Sequence, residues 1–178
     1  MRLCTAILIL GIFAVIAAAQ EVKRPAMTQL DDHDTFRVAR LTPSEQKQVF
    51  EEIEPISYDT PDSWESELRV RRLPIGGSEE ALVLQGSSLL CGATGNCATF
   101  VLRHVNSKWI AMFDQQVPIA SGFGFASESS KGIKDLVIVA NLSADLETIA
   151  VYKFDGKVYR PSACYEKTKA QTKTVACK

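Results

Sequence analysis

Cys91 and Cys97 enclose Gly92-Ala93-Thr94-Gly95-Asn96, and no other two cysteines of the chain lie so close. Two thiols in this arrangement could form a disulfide, bind a metal or act as a redox pair. A zinc site asks for about four Cys, His or carboxylate ligands, with paired cysteines two to four residues apart. Here five residues intervene, and none is a histidine. A redox pair would carry the Cys-x-x-Cys signature, which is absent. The spacing therefore predicts a structural disulfide, worth roughly 2 kcal/mol in the loop-entropy picture. Gly92, Gly95 and Asn96 allow the loop to turn tightly. A loop pinned in this way presents a surface at low entropic cost. Gly92, Thr94 and Asn96, with Trp109 on the hairpin that follows, are the candidate binding residues.

Other chemistry is thinly supplied. The only histidines are His33 and His104. A hydrolytic triad would need His104, a serine and Asp114 or Asp135, but no nucleophile-elbow motif accompanies them. Asp31-Asp32-His33-Asp34 offers cation ligands, yet lacks the glycine and the spaced acids of an ordered calcium loop. It reads as a solvated, mobile acidic segment. Ser121-Gly122-Phe123-Gly124-Phe125-Ala126 is not a Gly-x-Gly-x-x-Gly fingerprint, so its glycines are expected to relieve crowding or mark a bulge. Trp64, Trp109, Tyr152 and Tyr159 could line a glycan- or peptide-binding face, but aromatics in strands serve first as core and cross-strand pairs. Asn141-Leu142-Ser143 is a glycosylation sequon, meaningful only in a eukaryote. No cofactor or metal site is expected.

The N-terminus speaks to compartment. Met1-Arg2 is followed by an apolar run from Leu3 to Ile16 and by Ala17-Ala18-Ala19. This is the pattern of a secretory signal peptide over residues 1–19, cut before Gln20. Cleavage removes Cys4 and leaves Cys91, Cys97, Cys164 and Cys177, an even set suited to an oxidising compartment. Local pairings, Cys91–Cys97 and Cys164–Cys177, are favoured, and the second ties the C-terminal tail back. The net charge of −1 gives no basic stripe for a nucleic-acid partner. No second long apolar run exists, so no membrane span is expected after cleavage.

Residues 20–41 read as a flexible polar lead, and residues 42–178 as one β-rich domain. Thr42-Pro43-Ser44-Glu45 predicts a capped helix start, with Val49, Phe50 and Ile53 on one face and Pro55 as its stop. Residues 58–63 read as a linker. Alternation then predicts strands around Leu68–Arg71, Ala81–Leu84, Thr99–Val105 and Lys108–Phe113. The same grammar recurs at Gly122–Phe125, Leu136–Ala140, Thr148–Phe154 and Lys157–Arg160, with Asp155-Gly156 as a two-residue hairpin turn. Gly77 matches Gly132, Glu80 matches Asp135 and Val101 matches Val151. Two copies are too few to close a propeller. The expected fold is mainly β (α+β): an antiparallel sheet or sandwich from two similar β units plus one short N-terminal helix.

The pieces Cys91–Cys97, Asp135-Leu136-Val137 and Val151–Arg160 resemble a group of small, uncharacterised secreted bacterial β domains with a CGATGNC loop, distantly similar to FG-GAP or VCBS repeats. In those repeats an Asp-rich turn precedes the first buried strand and can bind calcium. The matching stretch here, Leu73–Glu80, lacks the clustered aspartates. The resemblance implies an exported β domain and carries no activity with it. The resulting expectation is a non-enzymatic periplasmic or secreted domain with a binding or protective role toward a protein or glycan. A small periplasmic hydrolase using His104 or a carboxylate is the alternative.

Overall fold

A computed structural model of the chain describes residues 24–54, 67–87, 91–114 and 117–177. The expected signal peptide, the helix stop at Pro55, the linker 58–63 and Trp64 lie outside the described residues. The elements are α1 (Pro43–Ile53), β1 (Leu68–Gly76), β2 (Glu79–Gly86), β3 (Cys97–Val105), β4 (Lys108–Ala111), β5 (Ile119–Ala120), β6 (Gly122–Ser130), β7 (Ile133–Ser143), β8 (Leu146–Phe154), β9 (Tyr159–Lys167) and β10 (Thr172–Val175). The fold is mainly β, with two antiparallel sheets and one short helix.

The first sheet runs β1-β2-β3-β4, with β5 added to the start of β3; the second runs β10-β9-β8-β7-β6. Their facing sides share one core. Ala81, Val83 and Val101 of the first sheet meet Phe123, Leu136, Ile138, Phe154 and Tyr159 of the second. Period-two alternation explains which residues turn inward. β2 and β7 are apolar on both faces: Leu82 and Leu84 of β2 pack under α1, and Val137 and Val139 of β7 cluster with Ile149, Val151 and Tyr165 on the outer face of the second sheet. On the outside of the first sheet, Leu82, Leu84, Phe100, Leu102 and Trp109 pack under Val49 and Ile53 of α1 and under Ala39 and Leu41.

The helix starts where its sequence dictates. The Thr42 hydroxyl accepts from the Glu45 backbone N–H, Glu45 reaches back to the Thr42 N–H, and Pro43 occupies the first helical turn. The Thr42 backbone and hydroxyl bonds hold the Glu45 carboxyl below its usual range. Having a buried face, α1 also covers a sheet edge. Gln48 Oε1 accepts from the Trp109 N–H at 3.3 Å and Glu52 Oε1 from the Ala111 N–H at 2.9 Å. Donors that β4 would leave unpaired are thereby satisfied.

The two strand-and-turn units reappear as two four-strand meanders, β1–β4 and β6–β9. Gly77 and Gly132 both sit in the first hairpin turn with positive φ. The residue match fails deeper in, because Val101 faces the shared core while Val151 lies with the outer-face residues Val137 and Ile149. Irregularities in β6, β7 and β8 shift the register within the second copy. Asp155-Gly156 is not a two-residue turn either. Phe154 pairs with Tyr159, and Asp155 Oδ1 accepts from both the Lys157 and Val158 N–H, which closes a four-residue loop. An Asx-type side-chain bond overrode the local Asp-Gly signal.

Residues 24–41 correct the expectation of a solvated lead. Thr28 pairs with Phe123 at the free edge of β6. Residues 25–27 lie against Gly124, where a Cβ would stand 2.7 Å from the Ala26 oxygen. Arg24 reaches Glu147 on β8 at 2.9 Å. The Gly122/Gly124 pair relieves crowding, as its sequence suggested, and the crowding comes from this strap.

Tyr159 links the inner core to pH. Its hydroxyl donates to the Lys134 carbonyl at 2.7 Å. Burial first, and the neighbouring Asp135 carboxylate second, push its pKa well above the ordinary value near 10. The folded state therefore holds this proton more tightly than the unfolded state. The resulting stability is complete below about pH 10 and is lost as the pH rises beyond it. Urea midpoints measured on either side of about pH 10 should fall on the alkaline side. Tyr159→Phe should flatten that decline, leaving the contribution of Tyr152, which burial raises in the same direction. An equally steep decline in the Phe variant would contradict this assignment.

A candidate binding cleft beside the disulfide loop

Cys91 is bonded to Cys97, and Cys164 to Cys177. The first pair closes the glycine-rich loop and the second holds the tail beside β9. Inside the loop the Gly92 N–H donates to Asn96 O, and the Gly95 N–H to Gly92 O, both at 2.8 Å. Gly95 takes φ +74° to make the turn.

A second lock fastens the loop to the other sheet. Asn96 Nδ2 donates to the Asn141 carbonyl at 2.7 Å, and Asn96 Oδ1 accepts from the Asn141 N–H at 2.8 Å. The side-chain amide thus copies a strand's pairing with the end of β7. Asn141 Nδ2 returns a bond to Thr94 O, and Asn96 also bonds the Thr94 hydroxyl at 2.8 Å. These bonds set the loop's position before any ligand arrives.

The loop forms one wall of a cleft of about 320 Å³. Leu30, Asp32 and Arg69 also line it, and the buried Gln85 contributes to the lining. Gln85 is fully used: it accepts from the Leu30 N–H at 3.1 Å and donates to Thr99 Oγ1 at 3.1 Å and Ala120 O at 3.4 Å. It ties the 24–41 segment to both β2 and β3, so the cleft sits on a satisfied polar floor.

Two ion pairs border this floor, and they differ. Arg69 and Arg71 lie on the inner-facing side of β1, next to Gln85 and Val83 across the ladder. Arg71 grips Asp34 with a two-pronged bond, Nε to Oδ1 at 2.6 Å and Nη2 to Oδ2 at 2.7 Å. Asp34, only 4% exposed, also accepts from the Asp31 N–H. This pairing holds the Arg71 guanidinium even more firmly protonated than usual. Arg69 instead directs both Nε and Nη2 to a single oxygen of Asp32, at 3.1 and 2.7 Å.

The candidate residues read from the sequence divide accordingly once the fold is known. Gly92 lines the cleft. Thr94 and Asn96 are engaged in the clamp to Asn141. Trp109 lies in the core and not in the described cleft lining: it is 2% exposed beneath α1, under the Arg72 guanidinium at 5.1 Å and against the His104 ring at 5.0 Å. A large apolar ring one residue into a strand was claimed by the helix-side core. His104 is exposed and makes no hydrogen bond to a carboxylate among the described residues. Asp114 pairs with Arg160, and Asp135 accepts from Ser130. The triad assembled on paper is thus dispersed over three separate contacts. Asp31–Asp34 is not uniformly solvated, because Asp34 is drawn inward by Arg71. Among the described residues no group of three His, Cys, Asp or Glu is placed to hold a metal ion.

Of the cleft-lining residues, Arg69 was not singled out by the sequence, Asp32 appeared there only as a cation ligand, and Gln85 was passed over. One signal for the first two was present. Asp32-x-Asp34 and Arg69-x-Arg71 share a two-residue spacing, the period at which strand side chains return to one face. Compared with known protein families, curated proteins and solved structures, the chain matches none.

Proposed function

We propose that the chain is an exported, non-enzymatic β-rich module, periplasmic or secreted, that binds a protein or glycan ligand through the cleft beside the Cys91–Cys97 loop. The observation that carries this reading is the double lock on the loop. A disulfide and a side-chain amide clamp fix a glycine-rich wall against the cleft. Pre-organisation of this kind serves recognition by lowering the ordering cost of binding. Two disulfides fit an oxidising compartment. No helix among the described residues is long and apolar enough to cross a membrane.

The test is a peptide and glycan array probed with the oxidised protein, then with the Cys91→Ser/Cys97→Ser and Asn96→Ala variants. One class should be retained by the parent protein. Both variants should lose about tenfold in affinity, the equivalent of about 1.4 kcal/mol. Retention of neither class, or equal binding by a folded double-serine variant, would overturn the reading. Intact mass of the exported protein should place the mature start at Gln20, four hydrogens lighter than its reduced form.

A further inference from the structure

We infer that Arg69 is a recognition site for a singly charged carboxylate, and that Asp32 occupies it in the unliganded protein as an internal stand-in. The inference rests on the reading of the cleft as a binding site and names the chemistry of what enters it.

The asymmetry between the two partners is the first observation. The Arg69 side chain is 19% exposed and that of Asp32 is 90% exposed. The cation is built into the wall, while the anion hangs over it from solvent. The neighbouring pair shows what a permanent arrangement looks like on the same strand. Asp34 is buried, uses both oxygens, and is itself held by a backbone N–H. Asp32 uses one oxygen for both guanidinium contacts, so Arg69 is not given the parallel fork that a carboxylate offers at its best. An exposed pair of this kind contributes little to stability and exchanges readily.

The second observation is location. Both residues line the same cleft as the fixed loop. A ligand carboxylate entering there would take the fork on Arg69 and leave Asp32 to water, where most of its side chain already is. Charge selects the ligand. Arg69 is the only cation in the lining among the described residues, so displacing Asp32 leaves one positive charge. A monoanion balances it, whereas a phosphate dianion leaves a surplus negative charge beside Asp32. The carboxylate could end an amino-acid chain or belong to a sugar acid, and the probes below separate the two.

The experiment follows the Arg69 side-chain Nε–H by NMR during titration with N-acetylglycine, D-glucuronate, N-acetylglycinamide and inorganic phosphate. Saturable shifts are expected with at least one of the two carboxylates and not with the neutral amide. Phosphate should bind more weakly than that carboxylate. Asp32→Asn should tighten carboxylate binding about two- to fivefold by removing the competitor, the scale of an exposed ion pair. Arg69→Gln, followed by the Gly92 and Gly95 backbone amides, should weaken it at least about tenfold, as loss of a charge-assisted fork would. Equal shifts with the amide, stronger binding of phosphate, or unchanged affinity in Asp32→Asn would overturn the inference. The last readout keeps Arg69 in place, so it decides even where Arg69→Gln fails to fold. If neither carboxylate binds but array ligands still depend on the loop, this inference falls and the binding-module reading stands. If carboxylates bind and the array retains nothing, the reverse holds.

Discussion

Replacing Trp109 with alanine is expected to lower the unfolding free energy by about 3–5 kcal/mol, the range for emptying an aromatic core position. The ring is 2% exposed and sits where α1, β3 and β4 meet. Removing it would leave a cavity that rigid strands on one side cannot fill. The Gln48 bond to the backbone N–H at this position survives the substitution, so the loss is one of packing under α1. Trp109→Phe should be far milder. The indole N–H has no hydrogen-bond partner among the described residues. Its contact with the Glu45 carboxylate falls outside hydrogen-bond geometry and is the smallest of the influences that lower that group's pKa. Phenylalanine therefore removes area but breaks no hydrogen bond. Urea denaturation of the three proteins, with both disulfides intact, checks this ordering. A Trp109→Ala variant within about 1 kcal/mol of the parent would show that this ring is not part of a close-packed core.

Gly76→Ala should cost about 2–4 kcal/mol, from overpacking and backbone strain together. Gly76 adopts φ +147°, and a Cβ there would collide with the carbonyl oxygen of Gly132. Gly132 belongs to the turn between β6 and β7, so the first turns of the two meanders press against each other. Lys134 strengthens the join by donating to the Pro74 carbonyl at 3.5 Å. Gly77 is the built-in control. Its φ of +52° disfavours a side chain, but a Cβ there meets nothing within 4 Å. Gly77→Ala should cost about 1–2 kcal/mol, the scale of one residue held in the left-handed region. The comparison separates backbone strain from collision between the two sheets. Equal losses at the two positions would remove the turn-to-turn contact as a source of stability.

Much of this architecture was legible before folding. The helix start was written in Thr42, Pro43 and Glu45, because capping is satisfied within one helical turn. The strands around Val83, Val101, Ile138 and Val151 announced themselves by runs of β-branched and apolar residues. β10 and the short β5 carried no such pattern. Thr172–Val175 is polar, and its pairing is set by Tyr165 and Cys164 across the ladder and by the Cys164–Cys177 bond. Ile119-Ala120 is too short to show a period, and it pairs only because β3 extends past β2 to meet it.

Local chemistry, then, was determined by the residues themselves: a pinned glycine loop, a capped helix, two β-rich units and two nearby cysteine pairs. Tertiary structure alone decided what those pieces do to one another. It turned Asn96 and Thr94 from an open surface into a clamp on Asn141, and Trp109 from a ligand platform into core. It divided two charge pairs of identical spacing into a buried tie at Arg71–Asp34 and an open contact at Arg69–Asp32. The reason is physical. Capping, turn formation and alternation act over a few residues, whereas burial and the choice of hydrogen-bond partner depend on which distant strand arrives alongside.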